Sequence, residues 1–187
     1  MDIKRQYDHG KLGNFLFDIC AGWTKFLVKH RWLYYLLACT WGILQTVIGL
    51  LITIILFYVK LFFKDSIHFK KYGWIYGVKA GPEYWGGFEM GLMYVRDQKS
   101  SESYIDSHEF GHTISQLWLG PLYLLTIAIH SATRYWIQEF RERKGKKNPP
   151  YDQYWAEDAA SQCGLYAIQY INEQKKKKEE KKSAKNK

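Results

Sequence analysis

Cysteine is scarce in this chain. Cys20, Cys39 and Cys163 are widely spaced, and no Cys-x-x-Cys pair occurs. An odd, sparse set excludes a disulfide-stapled secreted scaffold and a thiolate metal site, and a reducing compartment is the simpler setting. Acidic residues are also in deficit, 18 against 27 basic, for a net charge of +9. The excess is concentrated in the C-terminal tail and beside an apolar segment, a pattern that suits an anionic membrane surface. The predicted core has no basic stripe interleaved with aromatics and no familiar binding module, so no nucleic-acid partner is expected. Internal repeats are absent. The first 31 residues are too long and too mixed in charge for a signal-peptide n-region, so cleavage is not expected. With 187 residues there is room for one compact domain and an anchor.

Charge is nearly missing from Trp32 to Phe63, where Lys60 is the only fully charged residue. About 20 such residues cross a bilayer core, so one tilted span fits, and so does a bent segment lying in the interface. A buried core helix is the alternative, but a domain this small has little interior for it. Lys25, Lys29 and Arg31 precede the segment, and Lys60, Lys64, Lys70 and Lys71 lie at its end or follow it. With both flanks positive, a monotopic or hairpin insertion with both ends in the cytoplasm is favoured over a single span. Leu12 to Val28 reads as an amphipathic helix able to lie on a membrane.

From Tyr72 to Val95 the texture becomes aromatic and β-branched with glycine punctuation. Gly73 to Val78 reads as one strand, Gly81-Pro82 as a turn and Gly87 to Val95 as a second strand, a β-hairpin. Ser100, Ser101 and Ser103 offer N-caps for a helix reaching Leu119 and stopped by Gly120-Pro121. Leu122 to Trp136 is a second apolar helix that could lie against the membrane or cover the core. Arg141 to Pro150 reads as a basic loop, and Asp152 as the N-cap of a last helix to about Glu173.

The pattern that carries chemistry is His108-Glu109-Phe110-Gly111-His112. Residues i and i+4 of a helix share a face, so both imidazoles would point at one small cation. That is half of a zinc site, and Glu109 would stand beside the bound water as its general base. A chance match on an ordinary helix is the competing reading. The third ligand decides the class. Six residues after His112 stands Trp118, not histidine, and Ser115 replaces the expected glycine, which excludes a metzincin. His130 is possible but sits on an apolar helix. In the last helix Glu157, Ser161, Gly164, Ile168 and Ile171 advance by four, three, four and three, an inward stripe headed by Glu157. Asp158 lies about 100° away. Zinc would account for a buried Glu157; a first-turn glutamate stabilised by the helix dipole is the bland alternative.

His108-Glu109-Phe110-Gly111-His112 followed by Glu157-Asp158-Ala159-Ala160-Ser161-Gln162-Cys163-Gly164 resembles the gluzincin metallopeptidases, especially the membrane-bound M48 type and the small minigluzincins. Their second motif is similar to Glu-x-x-Ala-Asp-x-x-Gly, so Glu157, Ala160 and Gly164 match and Ser161 departs. The resemblance implies Zn²⁺ on His108, His112 and Glu157, with Glu109 as general base. It also implies that Ser161, standing where an aspartate orients a zinc histidine, acts behind that ligand without charge. Gly87, Phe88, Glu89, Met90 and Gly91 would form the edge strand on which a peptide substrate aligns by β-augmentation. Tyr151 and Tyr154 are oxyanion candidates only by their nearness to Glu157 in sequence.

The expected fold is α+β and mainly helical: a minimal gluzincin core of β-hairpin, metal helix and glutamate helix on an apolar anchor. The expected organisation is an amphipathic segment over 1–31, a membrane segment over 32–63, a metallopeptidase-like domain over 64–174 and a solvated, disordered Lys-rich tail over 175–187. The implied activity is that of a membrane-bound zinc endopeptidase in the bacterial inner membrane, with its catalytic domain facing the cytoplasm and a peptide or protein as substrate. Ser161 keeps open the alternative of a catalytically inactive zinc-binding membrane interaction or structural protein. An intramembrane protease would need the motif inside the apolar segment and an Asp-Gly element, and no Asp-Gly pair occurs.

Overall fold

The computed structural model describes residues 2–62, 67–80, 86–98 and 102–185. The chain is mainly helical with one small mixed sheet. Helices α1 (Gly10–Leu27), α2 (Arg31–Cys39) and α3 (Ile43–Phe62) precede strands β1 (His68–Tyr72), β2 (Ile75–Lys79), β3 (Gly87–Met90) and β4 (Met93–Arg96). Helix α4 (Glu102–Leu119) follows, then a π-helical turn over Leu124–Ala128 that runs into α5 (Ile129–Arg143), a 3₁₀ turn over Tyr151–Gln153 and α6 (Trp155–Lys185).

The apolar segment is interrupted. Thr40, Trp41 and Gly42 separate α2 from α3, and Tyr34 and Ala38 of α2 enter the main core beside Phe110 and Ile114 of α4. Among the described residues only α3 is long and apolar enough to cross a membrane by length and composition. The expected membrane-lying helix forms as α1, but its inner side is used elsewhere. Phe17, Cys20 and Ala21 pack on Ala159 and Cys163 of α6, so its apolar face covers a neighbouring helix.

The sheet has four strands in the order β1-β2-β4-β3, with β2 and β4 parallel and the other pairs antiparallel. The expected single strand from Gly87 to Val95 is therefore two strands, folded back at Gly91-Leu92. Gly91 has φ +71°, a left-handed conformation that glycine alone adopts without a Cβ penalty. The expected hairpin between residues 73–78 and 87–95 does not form: β2 pairs in parallel with β4, and β2's antiparallel partner is β1, which lies outside the expected pair. The turn expected at Gly81-Pro82 and the caps at Ser100 and Ser101 fall outside the described residues, as does the side chain of Ser103.

Helix α4 packs on α6 more extensively than on any other element. Two glycines allow it: a Cβ on Gly111 would sit 1.9 Å from the Ala160 carbonyl oxygen, and one on Gly164 would sit 1.8 Å from that of Ser107. The second apolar helix extends past Trp136 to Arg143, into the expected loop. Asp152 is part of the 3₁₀ turn and does not cap α6, which starts at Trp155. The lysine-rich stretch expected as a disordered tail continues α6 as helix to Lys185, exposed through Ala184, in keeping with the good helix propensity of Lys and Glu.

Candidate functional site

The glycine-mediated crossing of α4 and α6 brings His108, His112 and Glu157 together, all buried. The Nε2 atoms of the two histidines are 3.1 Å apart, and Glu157 Oε2 lies 3.2 Å from each. Residues i and i+4 of α4 supply the imidazoles from one face, and the first turn of α6 supplies the carboxylate. Glu157 is fully buried, and its Oε1 has no partner, nor has His112 Nδ1. A buried carboxylate facing two ring nitrogens is costly unless it meets a positive charge. Either a proton on the histidines or a cation supplies it, and the donor set of two imidazoles and one carboxylate fits a first-row divalent ion.

The electrostatics follow from this crowding. Burial works to raise Glu157, but the His112 charge and hydrogen bonds from both histidines outweigh it and hold the carboxyl well below its ordinary range. Burial works against a charged His112, and the Glu157 carboxylate reverses this and raises it. His108 is lowered, chiefly by burial. Behind it Ser161 Oγ stands 2.9 Å from Nδ1, and the Tyr104 hydroxyl lies 3.3 Å from the same Oγ. Because Nδ1 is engaged there, Nε2 is the nitrogen presented to the cluster.

Glu109 lies on the neighbouring side of α4, against the backbone of β3. A Cβ on Gly87 would come within 2.8 Å of Glu109 Oε1. Its Oε2 is buried without a partner, and burial pushes its carboxyl up to about 8. Strand β3 is an edge of the sheet. Of its residues Gly87, Phe88, Glu89 and Met90 line a cleft of about 550 Å³ together with His108, Glu109, His112 and Glu157. Gly91 lies in the turn beyond. Glu89 is buried, accepts the Gly91 N–H at 3.0 Å, and is pushed up to about 7 by that burial.

The His130 ring lies tilted against that of Tyr154 with centroids 4.4 Å apart, outside the cluster. Asp158 turns the other way and pairs with His9 at 2.9 Å. Tyr151 lines the cleft, its hydroxyl 2.6 Å from Ser131 Oγ, whereas Tyr154 does not line it. Tyr123, not singled out in the sequence, lines the cleft with its ring 6.4 Å from that of His112. The one signal for it is a phenol inside an apolar run just after Gly120-Pro121, where a polar tip calls for a partner. Compared with family models, curated proteins and solved structures, the chain matches none.

Proposed function

We propose that this chain is a membrane-bound, zinc-dependent endopeptidase of the gluzincin type, resident in the bacterial inner membrane with its catalytic domain facing the cytoplasm. The observation that carries the reading is the convergence of His108, His112 and Glu157 beside Glu109, in a cleft bordered by a sheet edge. On this reading the β3–β4 hairpin, the helix α4 and the helix α6 would be the three parts of a minimal gluzincin core.

His108, His112 and Glu157 would hold Zn²⁺, which when bound supplies Lewis acidity to water and to the scissile carbonyl. Glu109 takes a proton from the attacking water and returns it to the leaving amine nitrogen. Its partnerless Oε2 is free for that proton. Strand β3 offers its outer backbone edge to an extended peptide, and Gly87 keeps that edge close to Glu109. Ser161 orients His108.

Zinc per chain, measured by elemental mass spectrometry on detergent-purified wild type and Glu157→Ala, tests the metal site. Near one zinc in wild type and a marked loss in the variant supports it; zinc-free wild type after metal-replete purification overturns it. A peptide-library cleavage assay then tests the chemistry, with Glu109→Gln expected to bind zinc and lose turnover. Ser161 in place of an aspartate favours a second reading, a zinc-binding membrane protein without catalysis. A Glu109→Gln variant that keeps every cellular phenotype of the wild type would select it.

A further inference from the structure

Helix α3 touches the domain along one face and is otherwise exposed. Gly42, just before it, abuts Leu117 and Gly49 abuts the Met90 carbonyl. Ile52 and Leu56 pack on Ile67, Val78 and Phe88, and the Lys60 ammonium stands 5.3 Å over the Phe69 ring. Gly49, Ile52, Leu56 and Lys60 recur every three or four residues, with Gly42 seven before Gly49, and mark one face. The opposite stripe of Leu44, Val47, Leu51, Ile55, Tyr58 and Phe62 is exposed.

The flanks of α3 build a single core. Leu27, Tyr34 and Ala38, from the chain before it, pack in one cluster with Ile75 and Tyr94 from the sheet after it. A helix that crosses a bilayer separates its flanks by about 30 Å of hydrocarbon, so these flanks cannot share that cluster across it.

A second apolar stripe leaves from the same point. The Gln45 amide, near the head of α3, donates to the Gly120 carbonyl at 2.7 Å, and both residues are buried. Beyond Gly120 the chain exposes Leu122, Leu125, Ile129, Trp136 and Phe140 at helical spacing. Helix α5 has no buried residue. Its polar side is held instead, by Ser131 on Tyr151, by Arg134 over the Tyr154 ring and by Gln138 on the Pro149 carbonyl. Its end and the following turn carry Arg141, Arg143, Lys144, Lys146 and Lys147. An exposed apolar stripe ending in a basic cluster matches an anionic lipid surface in both respects.

We infer that the protein is monotopic: α3 and α5 lie along one leaflet, their exposed stripes in lipid and the basic cluster at the headgroups, and α3 does not cross the bilayer. This rests on the membrane residence proposed above and not on metal chemistry. Trp136 both lines the metal cleft and stands on the outer stripe, so one wall of the cleft is also a lipid contact.

The test uses the full chain with Cys39→Ser, reconstituted in sealed vesicles of phosphatidylcholine and phosphatidylglycerol. An environment-sensitive dye is placed on Ile55→Cys, Ile129→Cys or, as an aqueous control, Lys182→Cys; Leu51→Cys serves as a second α3 site. The expected result is blue-shifted emission at the three helix sites and several-fold weaker iodide quenching than at position 182. Shallow nitroxide lipids should quench these sites more than nitroxides at the acyl-chain end. A membrane-impermeant maleimide should label Lys29→Cys and His68→Cys from the same side. Opposite-side labelling, or strongest quenching of position 55 at the bilayer midplane, overturns the inference in favour of a span. Dyes as open to iodide as the control overturn it, and so do dyes shielded from iodide yet untouched by nitroxide lipids, which would mean that protein covers these faces. None of these readouts needs zinc or turnover, so failure of the peptidase reading stays distinguishable.

Discussion

Ser161 stands one hydrogen bond behind His108, its Oγ 2.9 Å from Nδ1, so that on the proposed zinc reading a neutral hydroxyl backs a metal-binding histidine. Partners of this kind fix the tautomer and raise the basicity of the ligand, and their loss commonly lowers metal affinity about 10–100-fold. Ser161→Ala should therefore weaken zinc retention by that order in competition with a chelator. Ser161→Asp should hold zinc at least as tightly as wild type. Equal affinity in all three would remove Ser161 from the site.

The two glycines at the helix crossing set the distance between the imidazoles of α4 and the carboxylate of α6. A Cβ on Gly111 or Gly164 meets a backbone carbonyl at under 2 Å, where nothing flexible can yield. The helices must part, and overpacking of this kind costs about 1–3 kcal/mol or more. Gly111→Ala and Gly164→Ala should lower the thermal midpoint and drop zinc stoichiometry together. A variant that keeps wild-type stability and full zinc would show that the crossing does not set the site.

The stripe headed by Glu157 was readable because helical periodicity is a local property: Glu157, Ser161 and Gly164 fall on one face whatever surrounds them. What that face meets is not local. The amphipathic pattern of α1 marks a face to be buried but does not distinguish lipid from Ala159 and Cys163 of α6. Strand β1, His68-Phe69-Lys70-Lys71-Tyr72, breaks the alternation expected of a half-buried strand with two adjacent lysines. The Gly91-Leu92 reversal hides inside an apolar run, because a positive φ leaves only a glycine as its trace. Asp158 next to Glu157 gave no hint of His9, since a contact spanning 149 residues has no local periodicity.

The three thiols should differ sharply in reactivity. Cys20 and Cys163 are buried, and burial raises both, Cys163 to about 12, whereas Cys39 is exposed. The thiolate is the reactive form, so raised thiols stay protonated and inert at neutral pH. Titration with a disulfide reagent should find one fast thiol per native chain and three after denaturation. Three fast thiols in the native state would mean that α1 does not cover α6 in the way described.

The N-terminal segment is tied to the glutamate helix by a buried contact between His9 and Asp158. Asp158 Oδ2 accepts the Gln6 N–H at 2.9 Å and lies 2.9 Å from His9 Nε2, while His9 Nδ1 faces the Gln153 carbonyl at 3.0 Å. Both side chains are almost fully shielded from water. Removing one partner of such a pair strands the other and costs about 3–5 kcal/mol. For a chain of this size, that is roughly 6–20 °C in the melting midpoint. His9→Ala and Asp158→Asn should each lose stability in this range, and the double variant should lose less than their sum, the mark of direct coupling. Because Asp158 adjoins Glu157 in the first turn of α6, the same variants should release zinc to a chelator faster at temperatures where they remain folded. Loss of stability with unchanged zinc release would limit the tie to the fold and leave Glu157 held by the α4 contact alone.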